Sequence, residues 1–390
     1  MVLKTGSGAR VPPFLVMDVI AAANALAASP GAANHRVIRM EVGQPGSGAP
    51  EGVRAAVATA MTGTDSLGYT EAFGLPLLRA RIAAHYADWY GLDLPAARIA
   101  VVAGASAGFP LAFLAAFDPG DTIALATPCY PPYLNIMVAL GLKPILLPAT
   151  EATGFQPTVA MLEALDPKPA GVLVASPANP TGSMLAPDDL AALARYCHDG
   201  GIRLISDEIY HGLTYGKPSA SAASFSPSAI VINSFSKYFS MTGWRIGWMV
   251  LPEDLMRPVE CLAQNMFICA PHVSQIAAIA AFDCHAELSA RRDSYARSRA
   301  LLLDALPSAG FTKLSPADGA FYLYADIAHT GQGSSDFCRA LLNELHIAAT
   351  PGHDFDPARG GNFVRFSYCA TEADIAEAAS RLLGRKLTTS

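Results

Sequence analysis

Residues 229–248 read AIVINSFSKYFSMTGWRIGW, and the apolar residues that begin this segment lead directly to Lys237. A lysine beyond a buried strand commonly packs its apolar stem and leaves its amine in water. Here Arg245 follows eight residues later in a glycine-framed turn, and the hydroxyls of Ser234 and Ser236 precede the lysine closely. An amine that is desolvated or near another cation loses its proton readily. The segment therefore predicts a lysine held as a Schiff base beside an anion site.

The composition is typical of a compact globular protein, since 52% of the 390 residues are hydrophobic and 15% are charged. This length favours two domains over a single core. The net charge of −6 gives no electrostatic reason to expect a nucleic-acid partner.

The cysteines predict a reducing compartment, because their number is odd and no Cys-x-x-Cys pair occurs. The same pattern argues against a zinc site, so we expect no metal. The N-terminus has no basic segment followed by an apolar one, as a signal peptide would, and no apolar run is long enough to span a membrane. We therefore expect a cytoplasmic protein with no membrane partner. The seven cysteines are Cys129, Cys197, Cys261, Cys269, Cys284, Cys338 and Cys369.

From residue 98 onward, short apolar segments alternate with helical patterns. Strands that are apolar throughout and separated by helices indicate an α/β fold, with a mainly parallel seven-stranded sheet covered by helices on both faces. Ligands in such folds bind beyond the carboxyl ends of the strands. The predicted strands are Ile99–Ala103, Thr122–Ala126, Pro144–Leu147, Gly171–Ala175, Arg203–Ser206, Ile230–Asn233 and Ile246–Val250.

In the last hundred residues the pattern of predicted elements changes, with long helical segments around two strands near residues 320–324 and 363–368. This pattern predicts a smaller α+β domain. We expect an N-terminal arm that joins the small domain at residues 1–44, a large domain at 45–283, and the small domain at 284–390.

Three motifs each follow an apolar strand and occur in a fixed order. They are SPANPTG at residues 176–182, DEIY at residues 207–210, and the Ser234 to Lys237 segment. Together with Arg245 and Arg365 they resemble the fold-type I, class I and II aminotransferases that use pyridoxal 5′-phosphate, in the branch of the aspartate and aromatic aminotransferases. The resemblance extends from Phe14 to the last helical segment, and five features in the right order make it specific.

The resemblance implies roles for three catalytic residues. Lys237 is expected to hold the cofactor as a Schiff base and then to move the substrate Cα proton as a general acid and base. Asp207 is expected to pair with the pyridine nitrogen and keep it protonated, which makes the ring an electron acceptor. Tyr210 and Asn179 are expected to hydrogen-bond the phenolic oxygen of the cofactor. The plain alternative for Asn179 is an Asn-Pro turn, and relatives often have a cis bond at the position of Asn179-Pro180.

The resemblance also assigns the phosphate and the ring face of the cofactor. Ala105 and Ser106 lie between a strand and a helix, where backbone N–H groups receive anions. Ser234 and Arg245 are expected to add a hydroxyl and a charged fork, with Ser236 as a second hydroxyl. Two aromatic residues complete this set by resemblance: Tyr130 is expected to stack on the ring, and Tyr69 to reach the phosphate of the partner subunit.

Arg365 alternates with apolar residues on a predicted strand and is expected to grip the substrate α-carboxylate, near Asn179 and the backbone of Gly43. Aspartate specificity needs a second cation, which the sequence does not identify. Three N-terminal residues, Phe14, Leu15 and Val16, would favour a partly apolar side chain if they cap the pocket as in relatives.

We therefore expect a homodimeric aminotransferase that moves an amino group between an L-amino acid and a 2-oxo acid by ping-pong turnover, with aspartate and the aromatic or aliphatic amino acids as candidates. A C–S β-lyase or synthase of the same fold is the nearest alternative. A non-catalytic cofactor-binding regulator is remote, because no basic DNA-binding segment is present. Three nearby residues receive no chemical role here: Glu208 is expected at the solvated surface and His211 in packing, whereas His353 is a candidate for the pocket wall.

Overall fold

The computed structural model describes residues 3–29 and 36–384, and its large sheet contains seven strands. All seven predicted strands are present, with ends that differ by one residue or not at all. They are β2 at Ile99–Val102, β3 at Thr122–Thr127, β4 at Lys143–Pro148, β5 at Gly171–Ala175, β6 at Arg203–Asp207, β7 at Ile230–Ser234 and β8 at Gly247–Val250.

The large sheet is mainly parallel, as predicted. Its strand order is β2-β8-β7-β6-β5-β3-β4. Only β8 runs antiparallel, and it pairs with β2 on one side and β7 on the other. The parallel strands β5, β6 and β7 lie side by side, so that their carboxyl ends meet at one edge of the sheet.

Helices cover both faces of this sheet. Along β5, Val172 and Val174 belong to one apolar cluster, whereas Leu173 belongs to another on the opposite face. This alternation explains why the strands are apolar at consecutive positions. The α/β prediction is confirmed. The helices are α1 at Leu15–Ala27, α2 at Glu51–Thr62, α3 at Pro76–Tyr90, α4 at Ala105–Ala116, α5 at Pro131–Ala139, α6 at Val159–Glu163, α7 at Pro187–Asp199, α8 at Glu253–Met266, α9 at His272–Ala281, α10 at His285–Ser308, α11 at Ser334–Leu345 and α12 at Glu372–Gly384.

Two helices, α8 and α9, were not predicted from the sequence. Pro258 lies inside α8, where the missing N–H removes one helical hydrogen bond. Burial of Leu255, Val259 and Ala263 in the cluster that also holds the apolar side of α4 offsets this loss. Tertiary packing therefore stabilises α8 even though Pro258 locally disfavours a helix.

A second sheet lies in the C-terminal part and carries Arg365. Its order is β11-β12-β9, with strands at Thr350–Pro351, Phe363–Ser367 and Tyr322–Asp326. The N-terminal strand β1 at Ile38–Arg39 pairs in parallel with β10 at Ile347–Ala348. The N-terminal segment thus meets the C-terminal part of the chain, while the exact domain limits stay a prediction. Of the helices described, none has the length and apolar character needed to cross a membrane.

Candidate active site

The proposed nucleophile, Lys237, lies just beyond the carboxyl end of β7. Its Nζ donates a hydrogen bond to the backbone oxygen of Gly43 at 2.6 Å. The rings of Tyr210 and Phe321 lie 5.7 and 5.9 Å from the same nitrogen. Desolvation lowers the pKa of Lys237 to about 8, and the nearby cation Arg365 acts in the same direction. The amine is therefore easier to deprotonate than an ordinary lysine, as a nucleophile requires.

Asp207 is the last residue of β6 and is 2% exposed. Its Oδ2 accepts a short hydrogen bond from the hydroxyl of Tyr133, and its Oδ1 accepts one from the backbone N–H of Ile209 at 3.1 Å. Burial raises the pKa of Asp207 to about 6, while both hydrogen bonds and the charge of Lys237 oppose this rise. The site thus holds a buried carboxylate whose charge a cationic partner would stabilise.

Tyr133 was not predicted from the sequence. It is buried on α5, three residues after Tyr130, and the two ring centroids are 5.3 Å apart. Residues three apart on a helix share a face, so a second aromatic at this spacing was the available signal. Only the fold shows that its hydroxyl reaches Asp207.

Asn179 and Tyr210 are both buried near Arg365. Asn179 Oδ1 accepts a hydrogen bond from Arg365 at 2.9 Å, and the Tyr210 hydroxyl lies 2.8 Å from that of Tyr322. The Asn179-Pro180 bond is cis, as the resemblance led us to expect. The two predicted residues are thus linked to Arg365 and to Tyr322, a residue that was not predicted from the sequence, while their role toward the cofactor stays a prediction.

The predicted phosphate site lies at the N-terminus of α4. Its N-cap, Gly104, has φ of 80°, and no side chain caps the helix. A Cβ at Gly104 would lie 2.3 Å from the guanidinium of Arg245, and the positive φ also favours glycine at this position. Ser234 pairs across the sheet with Gly247, where a Cβ would lie 2.9 Å from the backbone nitrogen of Ala105. The fold therefore brings Ala105, Ser234 and Arg245 together, with Ser106 exposed on the first turn of the helix.

Ser236 contributes to this loop through its backbone. Its N–H donates to the hydroxyl oxygen of Ser234 at 3.0 Å. The side chain of Ser236 is buried, and the described contacts do not place its hydroxyl at the anion site. Ser234 remains the better hydroxyl candidate.

Arg365 is 2% exposed and lies between the rings of Tyr322 and Phe355, 4.4 and 4.8 Å from their centroids. Its guanidinium donates to the backbone oxygen of Glu41 and to Thr350 Oγ1. The buried Nε has no hydrogen-bond partner among the described residues, which leaves a donor for a ligand. Such a rigid, desolvated guanidinium suits bidentate binding of a carboxylate.

Gly43 closes this part of the site. A Cβ at its position would lie 1.8 Å from the hydroxyl of Tyr322, so a side chain there would displace that ring. Gly43 thus links the lysine, through its carbonyl, to the aromatic wall beside Arg365. The predicted substrate residues Gly43, Asn179 and Arg365 are indeed neighbours.

Two predicted aromatic residues have contrasting surroundings. The ring of Tyr130 is largely buried and meets that of Phe14 edge-to-face at 5.8 Å, which places the N-terminal helix beside the site. Tyr69 is 82% exposed and lies outside this cluster of buried side chains. Since its predicted contact belongs to a partner subunit, its role stays a prediction.

The expectation for Glu208 was wrong. It is 1% exposed, and its Oε1 accepts hydrogen bonds from Ser206 and from the backbone N–H of Ala222. Burial raises the pKa of Glu208 to about 7. This burial was not predicted because Glu208 follows a strand end, where side chains usually meet solvent.

The two histidines near the site have packing or surface positions. His211 is buried, and its Nε2 donates to the backbone oxygen of Ser176 at 3.0 Å while Nδ1 accepts from the Tyr90 hydroxyl. Burial lowers the pKa of His211 to about 4, so the ring is neutral and structural, as expected. His353 lies two residues before the buried Phe355, and its own side chain is exposed to solvent. Its role in the pocket wall stays a prediction. In the described part of the chain, no group of three or more His, Cys, Asp or Glu residues is arranged to hold a metal ion.

These residues fit the cofactor that the resemblance implies. The N-terminus of α4 and Arg245 form an anion cradle. The buried carboxylate of Asp207 ends β6, and Lys237, whose amine has a lowered pKa, follows the neighbouring strand β7. Arg365 supplies a second guanidinium. The arrangement can hold a phosphate, a ring cation and a carboxylate at once.

Comparison with protein families gives one match over most of the chain. The family described as Aminotransferase class I and II matches residues 35–382. Among curated proteins, the valine–pyruvate aminotransferase of Mycobacterium tuberculosis is 48% identical over 379 residues, 96% of both chains. The aspartate aminotransferase of Geobacillus stearothermophilus is 33% identical over 367 residues, 91% of this chain and 92% of the relative.

Comparison with solved structures also identifies aminotransferases. A crystal structure of an aminotransferase from Mycobacterium tuberculosis has a TM-score of 0.95 at 47% identity, covering 98% of this chain and 99% of that one. The aspartate aminotransferase from Thermus thermophilus with maleate has a TM-score of 0.90 at 27% identity, covering 98% of this chain and all of that one.

Proposed function

Since this chain belongs to the class I and II aminotransferases, we propose that its preferred amino donors are small apolar amino acids such as valine and alanine. Enzymes of this family depend on pyridoxal 5′-phosphate, and this chain transfers amino groups between amino acids and 2-oxo acids. Pyruvate is the matching acceptor. The observation that carries this proposal is the surroundings of Arg365, where Tyr322 and Phe355 flank the guanidinium and Phe14 lies against Tyr130. Such a pocket suits one carboxylate and an apolar side chain. The name of the relative from Mycobacterium tuberculosis supports the same substrate class.

Bound pyridoxal 5′-phosphate supplies an electron-accepting ring that makes the Cα–H bond of an attached amino acid acidic. In this proposal, Lys237 would hold the cofactor through its neutral amine and, once the amino group of the substrate has displaced it, would move the Cα proton. Its pKa of about 8 favours both tasks near neutral pH, because a useful acid–base group titrates close to the working pH. The Gly43 carbonyl orients the amine through the 2.6 Å hydrogen bond.

Asp207 is proposed to stabilise the protonated ring nitrogen. A buried carboxylate with a raised pKa gains from a cationic partner, and the Tyr133 hydroxyl holds one of its oxygens in place. Asn179 and Tyr210 are proposed to hydrogen-bond the phenolic oxygen. The Tyr130 ring is proposed to lie against one face of the cofactor.

The phosphate is proposed to bind at the N-terminus of α4. The backbone N–H of Ala105 and the Ser106 hydroxyl offer donors there, and Ser234 adds a second hydroxyl. Arg245 supplies the charged fork, and its approach to Gly104 leaves no room for a side chain. These groups anchor the cofactor while its ring reacts.

Arg365 is proposed to bind the α-carboxylate of both substrates, since an amino acid and its 2-oxo acid share that group. The contacts with Asn179 and Thr350 fix the guanidinium plane. One grip for both half-reactions supports ping-pong turnover, in which the amino acid leaves as a 2-oxo acid before the second substrate binds.

A homodimer is proposed on the basis of an exposed apolar surface. His272 donates to the Gly68 carbonyl at 2.9 Å and Gln275 donates to Thr70, which places the segment around Tyr69 against the start of α9. Large exposed apolar residues on both sides of this contact are typical of an interface. They are Met61, Tyr69, Leu77, Met266, Phe267 and Ile268. The seven free thiols support the cytoplasmic location proposed from the sequence.

The substrate proposal is tested with purified protein that carries its cofactor. Valine, alanine or aspartate is added singly while the visible spectrum is followed and the 2-oxo acid is quantified. We expect valine and alanine to convert the spectrum of the bound cofactor at lower concentrations than aspartate does. Each active site should release one molecule of 2-oxo acid. A preference for aspartate would contradict the substrate class. In a parallel sample, a β-substituted amino acid with a thiol leaving group is added, and release of ammonia with pyruvate from it would favour the lyase. Sedimentation analysis of the same sample tests the dimer.

A further inference from the structure

The N-terminal helix α1 is capped by a residue from the other end of the chain. Its N-cap, Phe14, provides no side-chain hydrogen bond. Instead, the carboxylate of Asp354 accepts from the backbone N–H of Leu15 at 3.1 Å and from that of Val16 at 3.3 Å. The two oxygens therefore satisfy two of the donors that a helix start leaves open.

This cap lies at the rim of the substrate pocket. Asp354 precedes Phe355, whose ring contacts the guanidinium of Arg365, and Phe14 of the capped helix contacts the ring of Tyr130. Burial raises the pKa of Asp354, whereas its two helix N–H donors and the charge of Arg365 favour the ionised form. The Asp354 charge in turn acts on Tyr130. The carboxylate is thus electrostatically coupled to both walls of the pocket.

A dicarboxylic substrate needs a second anion site beyond Arg365. A helix N-terminus at the pocket rim is a natural candidate, because its N–H groups and dipole favour a carboxylate. In this chain an internal carboxylate already holds those N–H groups. Two other charged or titratable residues flank this contact in the chain. His353 precedes Asp354, and Asp18 lies on the first turn of α1, and both side chains are exposed to solvent.

We propose that Asp354 is a specificity-determining residue, which occupies the helix N-terminus at the pocket rim and so disfavours substrates with a second carboxylate. The same contact positions Phe14 over Tyr130 and completes an apolar surface for the substrate side chain. This inference rests on the proposed preference for apolar amino acids and names the residue that enforces it.

The test compares kcat/KM for valine and for aspartate in the cofactor-loaded enzyme and its variants. Asp354→Asn removes the charge and keeps the size and one acceptor oxygen, and Asp354→Ala removes both. We expect the valine-to-aspartate ratio to fall about tenfold in Asp354→Asn, an effect that removal of a like charge produces in a partly desolvated pocket. Asp18→Asn, which removes an exposed charge on the same helix turn, is the matched control and should keep the ratio of the native enzyme.

Hydrogen exchange gives a readout that does not depend on activity. The amides of Leu15 and Val16 should exchange faster in Asp354→Ala than in the native enzyme, because their acceptor is lost. An unchanged valine-to-aspartate ratio in Asp354→Asn, or an equal loss for both substrates, would overturn the inference even if exchange increases. A native enzyme that prefers aspartate would instead contradict the proposed substrate class, and that measurement is made before any variant is compared.

Discussion

The two walls of the candidate site are built in different ways. The cofactor wall, formed by Asn179, Asp207, Ser234 and Lys237, follows the carboxyl ends of three neighbouring parallel strands. The substrate wall joins residues far apart in sequence, such as Glu41 and Arg365, which are 324 positions apart and share a hydrogen bond. The first wall depends on the order of strands in one sheet. The second depends on how the N-terminal segment meets the C-terminal part of the chain.

Because the two walls are built differently, we expect substitutions in them to have different effects on the kinetics. A change in the cofactor wall should alter turnover for every substrate, because all substrates react through the same groups. A change in the substrate wall should alter KM or the preference between substrates. Each substitution below tests whether the two walls are functionally separate.

The largest effect is expected for Lys237→Ala in the cofactor wall. Loss of the amine should lower kcat on the order of 10⁴-fold for valine and aspartate alike, because both the nucleophile and the proton carrier are removed. Steady-state rates with each substrate, together with equilibrium dialysis of the cofactor, measure this. Lys143→Ala, at an exposed strand position, is the control. Turnover within tenfold of the native rate would remove Lys237 from the mechanism.

An intermediate effect is expected for Arg365→Lys in the substrate wall. Lysine keeps the charge but loses the planar fork, so KM for both the amino acid and the 2-oxo acid should rise roughly 10- to 100-fold, as expected for one charged hydrogen bond. The kcat value should change less. Arg339→Lys, an exposed arginine paired with Asp336, provides the matched control. If kcat falls and KM stays constant, the two walls are not separable in this way.

The smallest effect is expected for Tyr133→Phe, behind the cofactor wall. The Tyr133 hydroxyl stabilises the ionised carboxylate and so lowers the pKa of Asp207. Its removal should raise that pKa, and since the ionised form is the active one, the acid limb of the kcat/KM profile should move to higher pH. We expect a shift of less than about one pH unit and a loss of less than about twofold at neutral pH.

The pH profile distinguishes positioning from simple loss of packing. Tyr196→Phe, on α7 and outside the site, should leave the acid limb in place. A profile of Tyr133→Phe that is lower but not displaced would contradict the proposed action on Asp207. A similar displacement for valine and aspartate would place Tyr133 with the cofactor wall.

Much of the cofactor wall could be predicted because its signals are local. Each motif follows an apolar strand, and parallel strands bring their carboxyl ends together whatever their loops contain. Lys237, Asp207 and Asn179 therefore lie where the sequence indicated. Tyr133 escaped prediction because a buried tyrosine on an apolar helix face usually reads as packing.

The substrate wall was predicted only in part. Arg365 was visible as a charge within an apolar strand. Its contacts with Glu41, Thr350 and Phe355 form only when the N-terminal segment and the C-terminal part of the chain pack together. Asp354 gave no signal, since a carboxylate in a Gly- and Pro-containing loop usually reads as solvated surface. Its partners are the amides at positions 15 and 16, and only the fold brings them within reach.

Residue order alone was enough to predict the family, the α/β sheet and the candidate reacting groups of this enzyme, because strand patterns and short motifs are local properties of the chain. The packing of the folded chain establishes which side chains surround the substrate, how far burial shifts the pKa of Lys237 and Asp207, and which carboxylate caps α1. These properties depend on distances between residues that are remote in sequence, and on the loss of water that follows when they pack.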